Sequence, residues 1–518
     1  MTENRDTAIA WKYHEATKHS YWSVRTSAHF LDWENQPLPF KIYPELEVMP
    51  LPREVPETGV STFQALGERV PAPGSLANPI PAYPTLAMLA HILFYSAGIT
   101  KKKTYPGGDF FFRAAACAGA LYPIEVYVVC ADLPDLPAGV YHFSPADFGL
   151  RCLRVGDHRP VLAAAAAYEP SLLWAPLVLV YTAISWRSAW KYRARAYRYH
   201  FWDCGMILAN ALAAATAWRL PHKVILGFQD DVVNHLVGVD GEREMSLALL
   251  ALGQTAHPLP IPQEIPELPE VTWAVIPLSR EEVPYPLIRE MHAASRLRSA
   301  AEVEAWRARA LVRRESEPRA SLIPLDPTPP SALPDEPVES VIRRRASTRR
   351  FARKPISFSE LSTILEYGMS GFPCDALDDQ LNDLYVNAHA VPPLAPGAYV
   401  VHRDRRALEL LKSGDFRRDS RYLCLEQDLG GDASATVFFL ADLQTILTHY
   451  GNRGYRLAQL EAGIIGGKFY LAAYALRRGA TGLTFYDDDV TEFFSPHAEG
   501  KSAIFVMALG VAGPRPRW

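Results

Sequence analysis

Three residues at alternate positions have the side chains that a phosphate group requires. Arg345, Ser347 and Arg349 stand in the string RRRASTRRF at 343–351, and an extended backbone would place all three on one face. Two guanidinium groups and a hydroxyl group offer the N–H and O–H donors that a phosphate dianion binds. The alternative is a solvated basic run before the helix SFSELSTILEYG, in which Ser359 would be the N-cap.

Tyrosines and basic residues recur together in two further strings. The first is KYRARAYR at 191–198, and the second is HYGNRGYR at 449–456. Lysine, histidine and tyrosine all exchange protons, so each string has groups suited to acid–base chemistry. The alternative is structural: the arginines of the first string would form ion pairs, with Asp203 or Glu125 as partners, while its tyrosines would lie in the core.

The two strings belong to a longer repeat. A constant shift of 258 positions carries the first string onto the second and continues without a gap over roughly a hundred residues. Chance similarity would not hold one register for so long, and we therefore predict a tandem duplication. Pairs at this shift include Gly139 with Gly397, Tyr192 with Tyr450, Asp203 with Glu461, Gly205 with Gly463, and Asp230 with Asp488.

Composition excludes several classes of protein. Of the 518 residues, 49% are hydrophobic and 21% are charged, as in soluble globular proteins, and the formal net charge of -4 provides no basic field for nucleic acid. The N-terminal residues lack the apolar segment of a secretory signal, and the most apolar stretch, 171–186, is too short to span a bilayer. We expect a cytoplasmic protein without nucleic-acid or membrane partners. The six cysteines form no CxxC pair, which indicates free thiols and no metal site.

The elements that must position these residues alternate between helix and strand, which predicts an α+β fold. Small-residue helices that are apolar on all faces belong in a core, so we expect the copies to pack as an intramolecular pseudo-dimer. The predicted domains are 1–255 and 339–518, joined by a proline-rich linker at 256–338 with a bridging helix at 299–315. The predicted strands are 121–131 and 171–186, and the predicted core helices are 203–220 and 460–479.

The combination of motifs resembles a known family. KYRARAYR is followed by Asp203, Gly205 and Asn210 in the pattern DxGxxxxN and preceded by RAAACAGALYPIEVYVV at 113–129. Together they resemble the SagB-type (thiazole/oxazole-forming) dehydrogenase branch of the nitroreductase family. RRRASTRRF is similar to that family's R-x-S-x-R flavin-phosphate motif. The resemblance implies an α+β fold that works as a dimer, with FMN in the interface and each flavin contacted by both subunits.

The resemblance also implies roles for particular residues. Arg345, Ser347 and Arg349 would hold the FMN phosphate. Lys191 would be the catalytic base, with its pKa lowered by burial and by Arg193 and Arg195, while Tyr192 orients it. Small residues in the turn Cys117, Ala118, Gly119 and Ala120 would let the backbone approach the flavin ring, and a late loop would offer the backbone N–H groups of Gly482, Leu483 and Thr484.

The copies differ in what they retain. When the helices that follow the phosphate motif are aligned, the first copy has Pro73 and Ala77 where the second has Arg345 and Arg349. The second copy in turn has DALDDQL at 375–381 in place of the glycine-containing turn. Since these losses are complementary, we expect one composite site and one FMN per chain.

Three functions are compatible with these motifs. The first is a SagB-type FMN-dependent oxidoreductase that transfers a hydride to flavin N5 and oxidises an azoline-containing peptide or another small heterocycle. The second is a nitro- or quinone-reducing flavoenzyme that uses NAD(P)H. The third is a degenerate flavin fold kept as a scaffold protein without catalysis.

Overall fold

The computed structural model describes residues 3–76, 80–105, 108–261, 267–309, 311, 317–377 and 379–514. It contains two seven-stranded antiparallel sheets with the same strand order, β1-β6-β5-β4-β7-β9-β8 and β10-β13-β12-β11-β14-β16-β15, and a separate β2–β3 hairpin. This identity of order confirms two like α+β domains in tandem. The strands are β1 (Met49–Pro50), β2 (Ile99–Tyr105), β3 (Gly108–Arg113), β4 (Ile124–Cys130), β5 (Gly139–Ser144), β6 (Gly149–Val155), β7 (Leu177–Ile184), β8 (His222–Ile225), β9 (Glu244–Leu252), β10 (Leu322–Pro324), β11 (Asn382–Ala388), β12 (Gly397–His402), β13 (Ala407–Ser413), β14 (Ala435–Ala441), β15 (Gly479–Leu483) and β16 (Ser502–Gly510).

Helices cover the sheets and join the two copies. Among the described helices, none combines the length and the apolar character that a membrane crossing requires. The helices are α1 (Ala8–Ala16), α2 (Tyr21–Arg25), α3 (Thr62–Gly67), α4 (Leu86–Ala97), α5 (Arg159–Ala165), α6 (Pro170–Trp174), α7 (Ser185–Tyr192), α8 (Ala196–Ala217), α9 (Asp230–Val237), α10 (Pro286–Ala294), α11 (Ala300–Arg307), α12 (Val338–Arg344), α13 (Phe358–Gly368), α14 (Arg417–Leu423), α15 (Asp428–Asp432), α16 (Leu443–Tyr450), α17 (Arg453–Ala475) and α18 (Asp487–Phe494).

The long helices α8 and α17 cross at a pair of glycines. A Cβ atom on Gly205 would lie 2.5 Å from the carbonyl oxygen of Leu460, and one on Gly463 would lie 2.6 Å from that of Trp202. The two backbones can approach this closely only because both positions lack a side chain. Since Gly205 and Gly463 are counterparts in the repeat, the crossing lies on the pseudo-two-fold axis, and the predicted core shared by both copies is present.

Reciprocal ion pairs tie the copies together around this crossing. Arg195 and Arg198 bind the two carboxylate oxygens of Asp487 at 2.9 and 2.6 Å. Arg453 and Arg456 bind those of Asp230, both at 2.6 Å. The arginines of the repeated strings are therefore structural, as the alternative interpretation held, but their partners lie in the other copy and are neither Asp203 nor Glu125.

These ion pairs also correct the register of the repeat. Asp230 corresponds to Asp487, a shift of 257, because α9 and α18 begin at these residues and each accepts two arginines from the opposite copy. The predicted pairing of Asp230 with Asp488 is wrong by one residue. The constant shift of 258 ends between β15 and α18, where the second copy is one residue shorter.

Most predicted elements are present with altered bounds. The strand predicted at 171–186 divides into α6 and β7, because Pro170 begins a short helix. The core helices begin earlier than predicted, at Ala196 and Arg453, and the second ends at Ala475 without a terminal glycine. The N-cap of α13 is Ser357, which forms a capping box with Glu360, and the prediction of Ser359 is wrong.

The segment between the sheets has more structure than its prolines suggest. The bridging helix is α11, and Ser299 caps it by accepting a hydrogen bond from the Glu302 N–H group. A second helix, α10, begins at Pro286 within the predicted linker, because proline is favourable at the first helical position. Strand β10 lies within the predicted linker and pairs with β13, as β1 pairs with β6 in the first sheet. Residues 310 and 312–315 of the predicted bridging helix lie outside the described residues.

Candidate functional site

The RxSxR segment follows α12 and reaches across to the first copy. The Arg345 guanidinium group donates hydrogen bonds to the carbonyl oxygens of Ala114, at 3.1 Å, and Arg113, at 3.2 Å. It lies 5.5 Å from the centre of the Tyr470 ring. Burial lowers the pKa of Arg345, and no described carboxylate forms an ion pair with it. A desolvated cation without a counter-charge is a binding position for an anion.

Tyr470 connects Ser347 to the strand that was predicted as a loop. The Ser347 hydroxyl lies 3.0 Å from the Tyr470 hydroxyl, which also accepts a 3.0 Å hydrogen bond from the Gly482 N–H group. Tyr470 was not predicted as a site residue. The available signal was a tyrosine on a buried small-residue helix, because a buried hydroxyl requires a polar partner.

The predicted loop donors Gly482 and Leu483 belong to the edge strand β15, where they pair with Met507 and Val506. The prediction of a loop is therefore wrong for these two residues. Only Thr484 follows the end of the strand, and its hydroxyl oxygen accepts a 3.1 Å hydrogen bond from Gln427.

Lys191 and Tyr192 end α7, and Arg349 of the second copy approaches them. The Lys191 ammonium group lies 5.4 Å from the centre of the Tyr192 ring. The pKa of Lys191 is lowered, first by burial and then by the positive charge of Arg349. The predicted cause was different, since Arg193 and Arg195 do not lower this pKa, and Arg195 instead binds Asp487. Burial raises the pKa of Tyr192 well above its ordinary value.

The turn that contains Cys117, Ala118, Gly119 and Ala120 packs against Tyr192. Residues Ala118–Ala120 form a 3-10 turn in which Gly119 has φ +63°, a conformation that favours glycine. A Cβ atom on Gly119 would lie 2.7 Å from the Tyr192 hydroxyl oxygen. The turn and the acid–base pair are therefore in direct contact.

Asp203 holds this turn from the core helix α8. Its carboxylate accepts hydrogen bonds from the Ala118 N–H group at 2.8 Å and from the Cys117 thiol at 3.1 Å. Burial raises the pKa of Asp203 to about 7. Its counterpart Glu461 performs the same task in the second copy, where it accepts from the N–H group of Leu381 at 2.8 Å.

The structure thus brings three groups of predicted residues to one interface between the copies. The second copy supplies the cations Arg345 and Arg349, and the first supplies Lys191 with Tyr192 and the turn at 117–120. Positive charge predominates, because a pKa of about 7 leaves Asp203 partly protonated near neutral pH. Such a site suits an anionic ligand that also presents a flat surface to a close backbone turn. The described histidine, cysteine and acidic residues contain no cluster that would hold a metal ion.

At the symmetry-related position, the protein itself covers the strand edge. The Asp375 carboxylate accepts hydrogen bonds from the N–H groups of Leu226, at 2.7 Å, and Gly227, at 3.1 Å. Val224 donates its N–H group to the carbonyl oxygen of Pro373 at 2.9 Å. Val224 and Leu226 correspond to Gly482 and Thr484 at the shift of 258. Residues 375–381 are the segment predicted to stand in place of the glycine-containing turn. Asp375, the first residue of this segment, therefore covers the strand edge. Residue 378 lies outside the described residues.

Tyr450, the counterpart of Tyr192, is held by hydrogen bonds at this position. Its hydroxyl group donates a 3.0 Å hydrogen bond to the carbonyl oxygen of Ala376. The Trp306 indole of α11 donates to the Tyr450 carbonyl oxygen at 3.0 Å, and a Cβ atom on Gly227 would lie 3.1 Å from the Trp306 ring. The space beside this second tyrosine is thus closed by the bridging helix.

One predicted difference between the copies requires correction. Ser61 and Pro337, which precede α3 and α12, form an antiparallel bridge, so these two helices correspond. Counting from them, Arg69 takes the place of Arg345, and the predicted alignment of Pro73 with Arg345 is wrong. The predicted alignment matched the following helices, α4 and α13. Counted from the first residue of one helix to the first residue of the next, the first copy has four more residues from α3 to α4 than the second has from α12 to α13.

Both copies are similar in sequence to one known protein family. The profile of the Nitroreductase family matches residues 81–254 and 342–511. A nitroreductase-like protein from Methanocaldococcus jannaschii is 28% identical over 170 residues, which are 33% of this chain and 81% of that protein. A crystal structure of a nitroreductase-like protein from Anabaena variabilis aligns with a TM-score of 0.75 at 26% identity and covers 98% of this chain and 99% of that chain.

A second relative is named for its role in peptide maturation. Trifolitoxin-processing protein TfxB from Rhizobium leguminosarum bv. trifolii is 28% identical over 196 residues, which are 37% of this chain and 52% of TfxB. The match therefore spans about half the length of TfxB.

Proposed function

The chain belongs to the nitroreductase family, and we propose that it is an FMN-dependent oxidoreductase of the SagB type with one flavin site shared between its copies. The observation that carries the proposal is the approach of Arg349 from the second copy to Lys191 and Tyr192 of the first. This proximity brings the predicted phosphate motif near the predicted acid–base pair, although they lie more than 150 positions apart in the sequence.

The residues at this interface fit FMN. Arg345 and Arg349 would bind its phosphate, and Arg345 is partly buried with a pKa lowered by burial. Ser347 would add a hydroxyl donor, and the turn at Gly119 would lie against the ring because no side chain projects from it. When bound, FMN supplies a ring that accepts two electrons from a substrate.

Lys191 is the proposed base. Dehydrogenation of an azoline ring releases a proton that a neutral amine can accept, and a lowered pKa increases the neutral fraction of Lys191 near neutral pH. Tyr192 stays protonated because burial raises its pKa. It therefore acts as a neutral hydrogen-bond donor that positions the substrate or the amine.

The proposed substrate is an azoline-containing peptide or a small heterocycle. The SagB-type motifs support this class, as does the similarity to a peptide-processing protein. An NAD(P)H-dependent nitro- or quinone reductase is the alternative within the same family. A flavin-free scaffold is the alternative outside enzymes.

One experiment separates these functions. We would purify the full chain, quantify the FMN released per chain, and mix the protein anaerobically with a thiazoline peptide or with NADPH. One FMN per chain that loses its visible absorbance with the thiazoline peptide supports the proposal. Bleaching by NADPH alone favours the reductase. A colourless protein that does not take up added FMN favours the scaffold, and two FMN per chain contradict a single shared site.

A further inference from the structure

A large cavity lies in the half of the molecule that is related by the pseudo-two-fold axis to the surroundings of Arg345, Ser347 and Tyr470. Its volume is about 850 Å³, within the usual range for small-molecule sites. Residues 68–72, which follow α3 of the first copy, and residues 369–373, 377, 379 and 380 of the second copy line it, together with residues of helices α8 and α17. Leu212 stands here where Tyr470 stands at the other position, at the shift of 258. Leucine has neither the ring nor the hydroxyl group of a tyrosine and leaves this space open.

Lys468 of α17 is a buried cation on this cavity. The residue is 5% exposed. Its ammonium group donates to the Ser370 hydroxyl at 2.8 Å and to the Gly371 carbonyl oxygen at 2.5 Å. Both acceptors are neutral, and no described carboxylate forms an ion pair with Lys468. Desolvation alone lowers its pKa to about 8, which fits the lack of a counter-charge.

The acidic residues on the cavity are already engaged. Asp379 forms an ion pair with Arg403, and Glu366 forms one with Arg406 at 2.6 Å. Glu461 accepts hydrogen bonds from backbone N–H groups, including that of Asn382 at 2.9 Å. Glu68 lies 3.9 Å from Arg219.

Fewer of the basic residues on the cavity have an ion-pair partner. Besides Lys468, the cavity is lined by Arg69, which is exposed and forms no ion pair with a described residue. The Nδ1–H group of His222 donates a 2.8 Å hydrogen bond to the Leu220 carbonyl oxygen, and burial lowers the pKa of His222. Among the described residues that line the cavity, Lys468 and Arg69 are therefore cations without an ion-pair partner, and each acidic residue is already engaged.

The apolar residues of the cavity and the covered strand edge beside it limit which ligands can bind. Leu66, Leu212, Met369 and Phe372 line the same cavity as the two cations. The strand edge that corresponds to Gly482 and Thr484 is covered by the segment that contains Asp375. A second flavin ring would meet this segment, whereas a shorter ligand would not.

We propose that this cavity binds a small amphipathic anion, with a carboxylate or phosphate group on Lys468 and Arg69 and an apolar body against Leu212 and Phe372. Lys468 is the buried cation of this cavity, and Arg69 is an exposed cation at its edge. The inference does not depend on the proposed function, because it rests on the cavity and its charges.

The test is binding to the full-length protein as purified, measured by calorimetry with hexanoate and with inorganic phosphate as probes. We expect saturable binding of at least one probe. Preference for hexanoate identifies a carboxylate ligand, and preference for phosphate identifies a phosphate ester. Lys468→Met should weaken binding by roughly tenfold or more, because a charge-assisted hydrogen bond is lost. The matched control Lys223→Met should bind normally, since Lys223 pairs with Glu169 outside the cavity.

A second variant keeps the test decisive if Lys468→Met does not fold. Leu212→Phe fills the cavity without changing charge and should abolish binding, while the FMN content stays the same. Absence of binding by both probes overturns the proposal, as does equal binding by the native protein and Lys468→Met. Displacement of the probe by added FMN with uptake of a second flavin overturns it as well.

Discussion

The hydroxyl oxygen of Tyr192 lies 2.7 Å from the position that a Cβ atom would take on Gly119. The turn at 118–120 and the end of α7 are therefore in contact at a point where no side chain fits. Since the two elements are more than 70 positions apart, this contact depends on how β4 and α8 place them in the first copy. It positions the acid–base pair relative to the proposed flavin site.

Gly119→Ala should displace Tyr192 and lower kcat by about tenfold or more, since small displacements of a catalytic group are costly. Gly119 also has φ +63°, so the variant carries backbone strain of about 1 kcal/mol. Gly59→Ala is the matched control, because Gly59 has φ +71° and nothing within 4 Å of its added Cβ atom. Equal activity loss in both variants would show that strain, and not the contact with Tyr192, is responsible.

Lys191→Met and Lys191→Arg test the proposed base. Both should lower kcat by roughly 10²- to 10⁴-fold, because neither side chain accepts a proton near neutral pH. The FMN content, measured by absorbance, should not change in either variant. An active Lys191→Arg protein would mean that this position supplies only positive charge.

The double variant Arg345→Ala with Arg349→Ala should lose bound FMN, because the proposed phosphate site loses both guanidinium groups. Released flavin per chain is the measurement. Arg350→Ala is the control, since Arg350 is an exposed neighbour in the same basic run. Full FMN retention by the double variant would refute the assigned phosphate site.

The reciprocal ion pairs predict matched losses of stability. Asp487→Asn and Asp230→Asn should each lower the free energy of unfolding by about 3–5 kcal/mol, because each leaves two buried arginines without their carboxylate. Chemical denaturation measures the change. Asp488→Asn should have little effect, since the Asp488 side chain is 73% exposed and pairs with Lys18 at the surface. A negligible effect in either buried position would contradict the symmetric role of the two carboxylates.

Asp203→Asn tests the raised pKa of this carboxyl group. In the folded state the pKa is about 7, above the value of about 3.9 in an unfolded chain. The folded protein therefore binds more protons between these values, and this group makes the protein less stable as pH rises through that window. We would measure the free energy of unfolding at pH 4, 5.5 and 7. Between pH 4 and pH 7, this free energy should rise for Asp203→Asn relative to the native protein by up to about 4 kcal/mol. A constant difference would mean that Asp203 is ionised throughout.

Much of the fold was accessible from the sequence because duplication leaves a periodic signal. The shift of 258 predicted two like α+β copies, and small residues on two apolar helices predicted their shared core. Element ends were less accessible. Pro170 begins a helix just before the predicted strand at 171–186, and Pro286 begins one within the predicted linker. The one-residue offset between Asp230 and Asp487 was hidden, because three consecutive acidic residues at 487–489 fit either register.

The sequence by itself determined which chemical groups the chain has: the arginine–serine motif, the lysine–tyrosine pair and the small-residue turn, with their uneven distribution between the copies. Tertiary structure decided which of them meet. Arg349 approaches Lys191, Tyr470 joins Ser347 to Gly482, and Asp375 covers the strand edge of the other half. Spacing along a chain constrains only neighbours within one element, whereas contacts between copies depend on how two glycine-lined helices pack across a pseudo-two-fold axis.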